Sequence, residues 1–267
     1  MIHVIVCGAA GRMGRQLSNW ILDSDDLELV GATERPDHPA IGKDTGTALG
    51  REPLHIPVAD DLASIIQKAD VVLDFTTPAS TLKNAQISGE AGKAMVVGTT
   101  GFSPKEVTQF RALVTGIPCV MAPNYSVGVN LLFKLVEEAA RILGDSYDVE
   151  IIEVHHHFKK DAPSGTAKRL GEAAAKGLGR SLDEVGIYGR EGLVGERTKE
   201  EIGIHAVRAG DIVGDHTVLF AGTGERVELI HRASSRDPLA MGALRAVRFV
   251  VEAPPGLYDM GDVLGIK

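Results

Sequence analysis

The segment VHHHFKKDAPSGT, from Val154 to Thr166, gathers proton-handling and anion-handling groups more densely than any strand or solvated helix face requires. His155, His156, His157, Lys159 and Lys160 put five potentially cationic side chains into six consecutive positions. Imidazole exchanges a proton near neutral pH, and a lysine ammonium is a compact cation suited to a carboxylate. Just downstream, Ser164 has the type and place of an N-cap for a helix that starts near Gly165. The first amides of that helix, those of Gly165 and Thr166, are suited to grip a carboxylate. A cationic cluster beside an anion-binding helix start implies a substrate with more than one carboxylate. If VEIIEVHHH stays extended throughout, His155 and His157 share one face and His156 points to the other. With Glu153 that makes only a partial metal set. No third ligand stands at a recognisable spacing and no helical histidine pair occurs, so no metal is expected. The bland alternatives are a solvated basic run and a plain helix cap at Ser164.

A second group of residues has the pattern of a dinucleotide turn. HVIVCGAAGRMGRQL sets Gly8, Gly11 and Gly14 where an apolar run gives way to helical periodicity, with Ala9, Ala10, Arg12 and Met13 between them. Glycines there let backbone amides and a helix start approach a pyrophosphate. Ala10 takes the usual middle-glycine place, so the spacing is G-x-x-G-x-x-G, looser than the strict fingerprint. Glu34, roughly twenty residues beyond Gly14, has the type and place to accept a ribose 2′-hydroxyl. Arg35, next to it, offers a guanidinium to a 2′-phosphate. NADH and NADPH are therefore both expected as cofactors. Three further stretches follow apolar runs: DFTTP (Asp74 to Pro78), GTTG (Gly98, Thr99, Thr100 and Gly101) and APNYS, with Ala122, Pro123, Asn124 and Tyr125. Small hydrogen-bonding residues after strands line the ligand crevice of a parallel sheet.

These groups need elements to hold them. Up to about Pro123 short β-rich runs alternate with helix-period segments: HVIVCG, Arg12 to Asp23, LELVGATE, VVLDF, Ala79 to Ala91, MVVGTT, Pro104 to Val114 and IPCVMAP. That alternation predicts an α/β domain with a parallel, Rossmann-type sheet. The stretch from Pro36 to Pro57 reads as a long surface loop or flap. After Asn124 a helix over Val129 to Leu143, the strand-like YDVEIIEVHHH, a helix after Pro163 and the runs IGIHAVRAG, HTVLFAG and ERVELIHRA predict a second, α+β domain with a mixed sheet. A last helix from Pro238 to Val251 precedes a turn-rich tail. The domain expectation is residues 1–126 with 237–267 for the dinucleotide, and 127–236 for substrate binding and tetramerisation.

Composition bounds the partners. At 267 residues, 44% hydrophobic and 24% charged, the chain is expected to be globular. Its net charge of −8 argues against general binding to nucleic acid or to acidic membranes. Cys7 and Cys119 lie in apolar runs and read as reduced core thiols. No leader and no membrane-length apolar run is evident, so a cytoplasmic location is expected.

GAAGRMG, DFTTP, GTTG, PNYSVGVN, EVHHHFKKDAPSGTA, RAGDIVGDHTVLF and ERVELIHRASSRDPLAMGALRA together resemble the successive motifs of the bacterial dihydrodipicolinate reductase family of lysine biosynthesis. The resemblance runs from the first apolar run to GLYDMGDVLG. It implies a Rossmann domain into which a substrate and tetramer-forming domain is inserted, NADH or NADPH as reductant, and a cyclic imine dicarboxylate as substrate. It implies His155 as catalytic acid/base and Lys159 as proton donor or carboxylate-binding lysine, with His156, Ser164, Gly165 and Thr166 on the substrate. The family often has His-His-Arg-His-Lys where this chain has His157 and Phe158, so no role carries over to those two. The rival expectations are another NAD(P)-dependent dehydrogenase of the same plan and a dinucleotide-binding redox sensor without catalysis.

Overall fold

The structure, a computed structural model, describes residues 1–266. The chain first lays down β1 (Ile2–Cys7), α1 (Arg12–Leu22), β2 (Leu27–Thr33), α2 (Thr45–Leu49), β3 (Val58–Ala59), β4 (Val71–Asp74), α3 (Pro78–Ala91), β5 (Ala94–Val97), α4 (Pro104–Leu113) and β6 (Pro118–Met121). It continues with α5 (Val127–Leu143), β7 (Asp148–His155), α6 (Gly165–Gly177), α7 (Leu182–Val185), β8 (Gly186–Tyr188), β9 (Ile202–Arg208), β10 (Gly214–Gly222) and β11 (Glu225–Ala233). Last come α8 (Asp237–Val250), β12 (Gly256–Tyr258) and α9 (Met260–Leu264). Two compact units result, one of Met1–Ser126 with Leu239–Gly265 and one of Val127–Pro238 with Ile266.

In the first unit seven parallel strands run in the order β12-β6-β5-β4-β1-β2-β3. Apart from the added β12 this is the dinucleotide-binding order, with its switch point between β1 and β4. The strands are near-continuous apolar runs because both faces are covered. Val4 and Val6 of β1 belong to the layer with Leu17 of α1, Val247 of α8 and Met260 of α9. Ile5 and Cys7 belong to the opposite layer with Ala85 of α3 and Phe110 of α4. Two expectations need correction. The Pro36 to Pro57 stretch holds a short helix, α2, organised by Asp44, whose carboxylate accepts the amides of Thr47 (2.9 Å), Leu54 (3.1 Å) and Ile56 (3.2 Å). The Thr47 amide is the first cause, and burial opposes it, in lowering the Asp44 carboxyl to about 2. The tail after α8 holds β12 and α9. Each is too short to show a period, and β12 is set by its pairing with β6.

In the second unit the sheet is mixed, ordered β11-β10-β7-β9-β8. β10 pairs antiparallel with β11 and β7, and β7 and β8 pair parallel with β9. Here one face is packed, against Leu132 and Val136 of α5 and Ala167 and Leu170 of α6. β7 therefore alternates, with Val149, Ile151, Glu153 and His155 all buried on the helix-covered face. The strand ends at His155, so the extended reading through His157 is corrected. The His155 carbonyl accepts the Ala209 amide at 2.8 Å, and the His157 amide turns to the Gly210 carbonyl at 3.1 Å.

Candidate active site

The first unit builds its site from backbone. Gly8 leaves β1 with φ at +69°, a conformation that a side chain disfavours. A Cβ at Gly14 would stand 2.1 Å from the Gly8 carbonyl oxygen, so α1 starts directly against the turn only because that side chain is missing. Gly11 caps α1 without a side-chain hydrogen bond, which leaves the helix start presenting its amides. Arg12 and Met13 open the helix; Arg12 is exposed, Met13 half-buried and Ala9 buried. Glu34, at the end of β2, accepts the Ala10 amide at 2.9 Å and the Arg35 amide at 3.1 Å. The acid thus already touches the glycine turn, and the Arg35 side chain beside it is exposed.

The three loops after β4, β5 and β6 are tied to one another. Asp74, fully buried, accepts the Thr76 hydroxyl (2.6 Å), the Asn84 amide (2.8 Å) and the Thr81 hydroxyl (3.1 Å). Thr99 accepts the Thr76 amide at 3.0 Å, and the Gly98 amide donates to the Asp74 carbonyl at 2.9 Å. The Ala122 amide and the Tyr125 hydroxyl both donate to the Val97 carbonyl, at 3.1 and 2.8 Å. Burial raises the Tyr125 phenol well above its ordinary range, so the hydroxyl stays a donor. Asn124 accepts the Ser126 amide at 2.9 Å, while Thr100 and Pro123 are exposed.

In the second unit the centre is Glu153. Its Oε2 lies 2.5 Å from Nδ1 of His155 and 2.9 Å from Nη1 of Arg208. Its Oε1 accepts the Ser164 amide and Nη2 of Arg208, each at 3.0 Å. Burial pushes this carboxyl up, but the Arg208, His155 and Ser164 hydrogen bonds outweigh it and hold it below the usual range. Ser164 caps α6 as expected, accepting the Ala167 amide at 3.1 Å, and its hydroxyl stands 3.3 Å from Nε2 of His216. His216 is edge-on to His155 with centroids 5.2 Å apart. Burial first, then the neighbouring His155, lower His216 to about 4, so it is neutral at pH 7. Lys159 pairs with Asp161 at 2.9 Å, and Arg208 also donates to the Asp161 carbonyl at 2.5 Å. The His156 ring is 6.4 Å from that of Phe158; Gly165 and Thr166 form the first turn of α6.

Sequence reasoning missed Arg208, His216 and the real place of Glu153, which entered only as a weak metal candidate. The i, i+2 spacing of Glu153 and His155 on one strand face was the available signal for Glu153. For Arg208 and His216 the signal was their place in the motif RAGDIVGDHTVLF, which gave them no role, because they reach the site through pairings, His155 beside Arg208 and Glu153 beside His216, that only the sheet register sets.

Comparison with known proteins adds a family to this geometry. Residues 2–125 match the family model described as dihydrodipicolinate reductase, N-terminus, and residues 128–264 that described as dihydrodipicolinate reductase, C-terminus. A 4-hydroxy-tetrahydrodipicolinate reductase of Geotalea daltonii is 51% identical over 267 residues, covering 100% of both chains. A dipicolinate-bound dihydrodipicolinate reductase from Paenisporosarcina sp. TG-14 superposes with a TM-score of 0.77 at 28% identity, covering 97% of each chain. An amine dehydrogenase of Mycobacterium smegmatis shares the fold, with a TM-score of 0.60 at 16% identity over 96% of this chain and 94% of its own. Fold alone therefore separates no activities, whereas the full-length identity and the two family matches do: the chain belongs to the dihydrodipicolinate reductase family, whose members are also called 4-hydroxy-tetrahydrodipicolinate reductases.

Proposed function

We propose that the chain reduces 4-hydroxy-tetrahydrodipicolinate, by way of dihydrodipicolinate, to tetrahydrodipicolinate in lysine and diaminopimelate biosynthesis, using NADH or NADPH. The observation that carries the assignment of roles is the Glu153–His155 pair, a buried acid on one nitrogen of a histidine at the end of β7. The first unit takes the dinucleotide. Gly8, Ala9, Ala10, Gly11, Arg12 and Met13 face its pyrophosphate, Glu34 and Arg35 its adenosine ribose, and Gly98, Thr99, Thr100, Ala122, Pro123, Asn124 and Tyr125 the nicotinamide side. The positive φ of Gly8 and the packing of Gly14 against the turn fit such a ligand, since together they bring the start of α1 directly up to the end of β1. When bound, the reduced nicotinamide supplies a hydride.

The second unit supplies everything else. Hydride arriving on a conjugated cyclic imine leaves negative charge on the ring, which a proton must discharge. His155 gives that proton. Lys159, held by Asp161, offers its Nζ to one carboxylate, while Ser164, Gly165 and Thr166 at the start of α6 receive the other with His156. Glu34 favours a free 2′-hydroxyl and Arg35 a 2′-phosphate, which supports use of both cofactors. A homotetramer built through the second unit is supported by the sheet face that α5 and α6 leave uncovered. Ile230, Thr217 and Ile152 are register neighbours there, and Ile152, Val207 and Ile230 are exposed. The decisive experiment replaces His155 by Gln and follows the absorbance of the reduced nicotinamide with a coupled supply of substrate. Turnover is expected to fall by roughly a hundredfold or more with dinucleotide affinity unchanged; wild-type turnover would remove His155 from the reaction.

A further inference from the structure

We propose that Glu153, clamped by Arg208 and the Ser164 amide, is the positioning residue of the site, holding His155 with Nδ1 protonated and Nε2 presented to the substrate; this rests on His155 being the proton donor. A carboxylate only accepts, so the hydrogen in the 2.5 Å contact belongs to Nδ1. The carboxylate is in turn locked from the neighbouring strand and from the start of α6. Arg208 spans both oxygens and the Ser164 amide holds Oε1, which leaves Oε2 directed at the ring. Nε2 then faces Gly214, where an added Cβ would lie 3.0 Å from it. Glycine at that position keeps the reactive nitrogen uncovered.

The proton balance follows from this arrangement. When the imidazolium acts, the Nε2–H bond breaks, its electron pair stays on nitrogen, and the proton goes to the ring carbon that carries the charge. What remains is the Nδ1–H tautomer, already hydrogen-bonded to Glu153, so the ring is restored by taking one proton from solvent on Nε2 without turning over. The charged and titratable groups around His155 are Glu153 on its own strand, Arg208 beside it on β9 and His216 on β10, with Lys159 and Asp161 on the following turn tied in through Arg208 and His231 on β11 acting on His216. His216, neutral at pH 7, adds no positive charge against the imidazolium. Arg208 links the frame further, since it holds the Asp161 carbonyl while the Asp161 carboxylate holds Lys159. One carboxylate–guanidinium pair thus aligns the proton donor, the lysine turn and the first turn of α6.

The test is the tautomer. In Glu153→Gln, the Ser164 amide, which donates to Oε1 alone, keeps the amide oxygen on that side while Arg208 retains only its Nη2 contact, which turns the NH2 toward Nδ1 and selects the Nε2–H form, as a carboxylate-to-amide change does in the serine-protease triad. Long-range proton–nitrogen correlation spectra of the full chain with labelled imidazoles, His155 being assigned by its loss in His155→Gln, should show Nδ1–H in the neutral ring of the wild type and Nε2–H in the variant. Turnover should fall by about tenfold or more with KM little changed, and Glu153→Gln/His155→Gln should be no slower than His155→Gln alone. An Nε2–H ring in the wild-type protein overturns the proposal without any variant having to fold. So does a folded Glu153→Gln that keeps both the Nδ1–H tautomer and wild-type turnover. If instead His155→Gln turns over normally while the wild-type ring is Nδ1–H, the geometry is right and the reading of His155 as donor is what fails.

Discussion

The turn after β1 and the cluster around Glu153 solve the problem of holding an anion in opposite ways. The first is made by absence: Gly8 and Gly14 carry no side chain, and the binding groups proposed there are main-chain amides at the start of α1. The second is made by excess, with Glu153, Arg208, His155 and His216 brought into a packed face where each must satisfy the others. A backbone site fails by steric collision and is indifferent to pH. A side-chain network fails by losing one member and responds to protonation.

The sharpest way to break that contrast is Gly14→Ala, a single methyl group. Because its Cβ would meet the Gly8 carbonyl at 2.1 Å, the main chain itself must move. Both dinucleotides are expected to bind at least about a hundredfold more weakly by fluorescence titration, about 2.7 kcal/mol or more, with dipicolinate binding to the second unit retained. Next in size is the acid response of the second unit. His216 is lowered from its ordinary 6.5 to about 4. Above 6.5 neither the folded nor the unfolded chain is protonated there; as pH falls from 6.5 to 4 only the unfolded chain takes the proton, so stability drops, by up to about 3 kcal/mol in all. Denaturant titrations at pH 7 and pH 4 should show His216→Asn losing less stability than the wild type over that window; equal losses would mean His216 is not the group.

What was legible beforehand follows the same division. The glycine turn, Glu34 and the alternating strands and helices are local patterns, and the order of the first sheet is the one such patterns imply. His155, Lys159 and Ser164 were visible as a run of chemistry. Their partners were not, because Arg208 lies 53 positions beyond His155 and meets it only through a parallel pairing of β7 with β9. The helix inside the Pro36 to Pro57 stretch escaped for a related reason: it rests on what one aspartate accepts, which leaves no period in the sequence.

Two smaller effects sharpen the comparison within each region. Lys159→Ala should weaken pyridine-2,6-dicarboxylate, measured as a competitive inhibitor in the presence of reduced dinucleotide, by about ten- to a hundredfold, the scale of one charge-assisted contact. Equal inhibition of variant and wild type would detach the lysine from the carboxylate. Arg35→Ala should change least. Its side chain is exposed and screened, so NADPH should weaken by about tenfold at low salt with NADH almost unaffected, and the difference should shrink as salt rises.

The return of the chain through α8 and β12 has a consequence for biosynthesis. β12 is the outermost strand of a sheet whose neighbouring strand, β6, ends at Met121, and α8 brings Ala240, Ala243, Val247 and Val250, all buried, to one apolar layer of that sheet. On the ribosome the first unit must therefore wait, with that layer unsealed, while the whole of Val127–Pro238 is translated. The sheet and helices of the second unit all lie within Val127–Pro238 and can close first. The interval leaves the apolar layer of the nascent first unit open to solvent, and it places the last cooperative step of folding after α9, whose Met260 and Val263 complete that layer, has emerged.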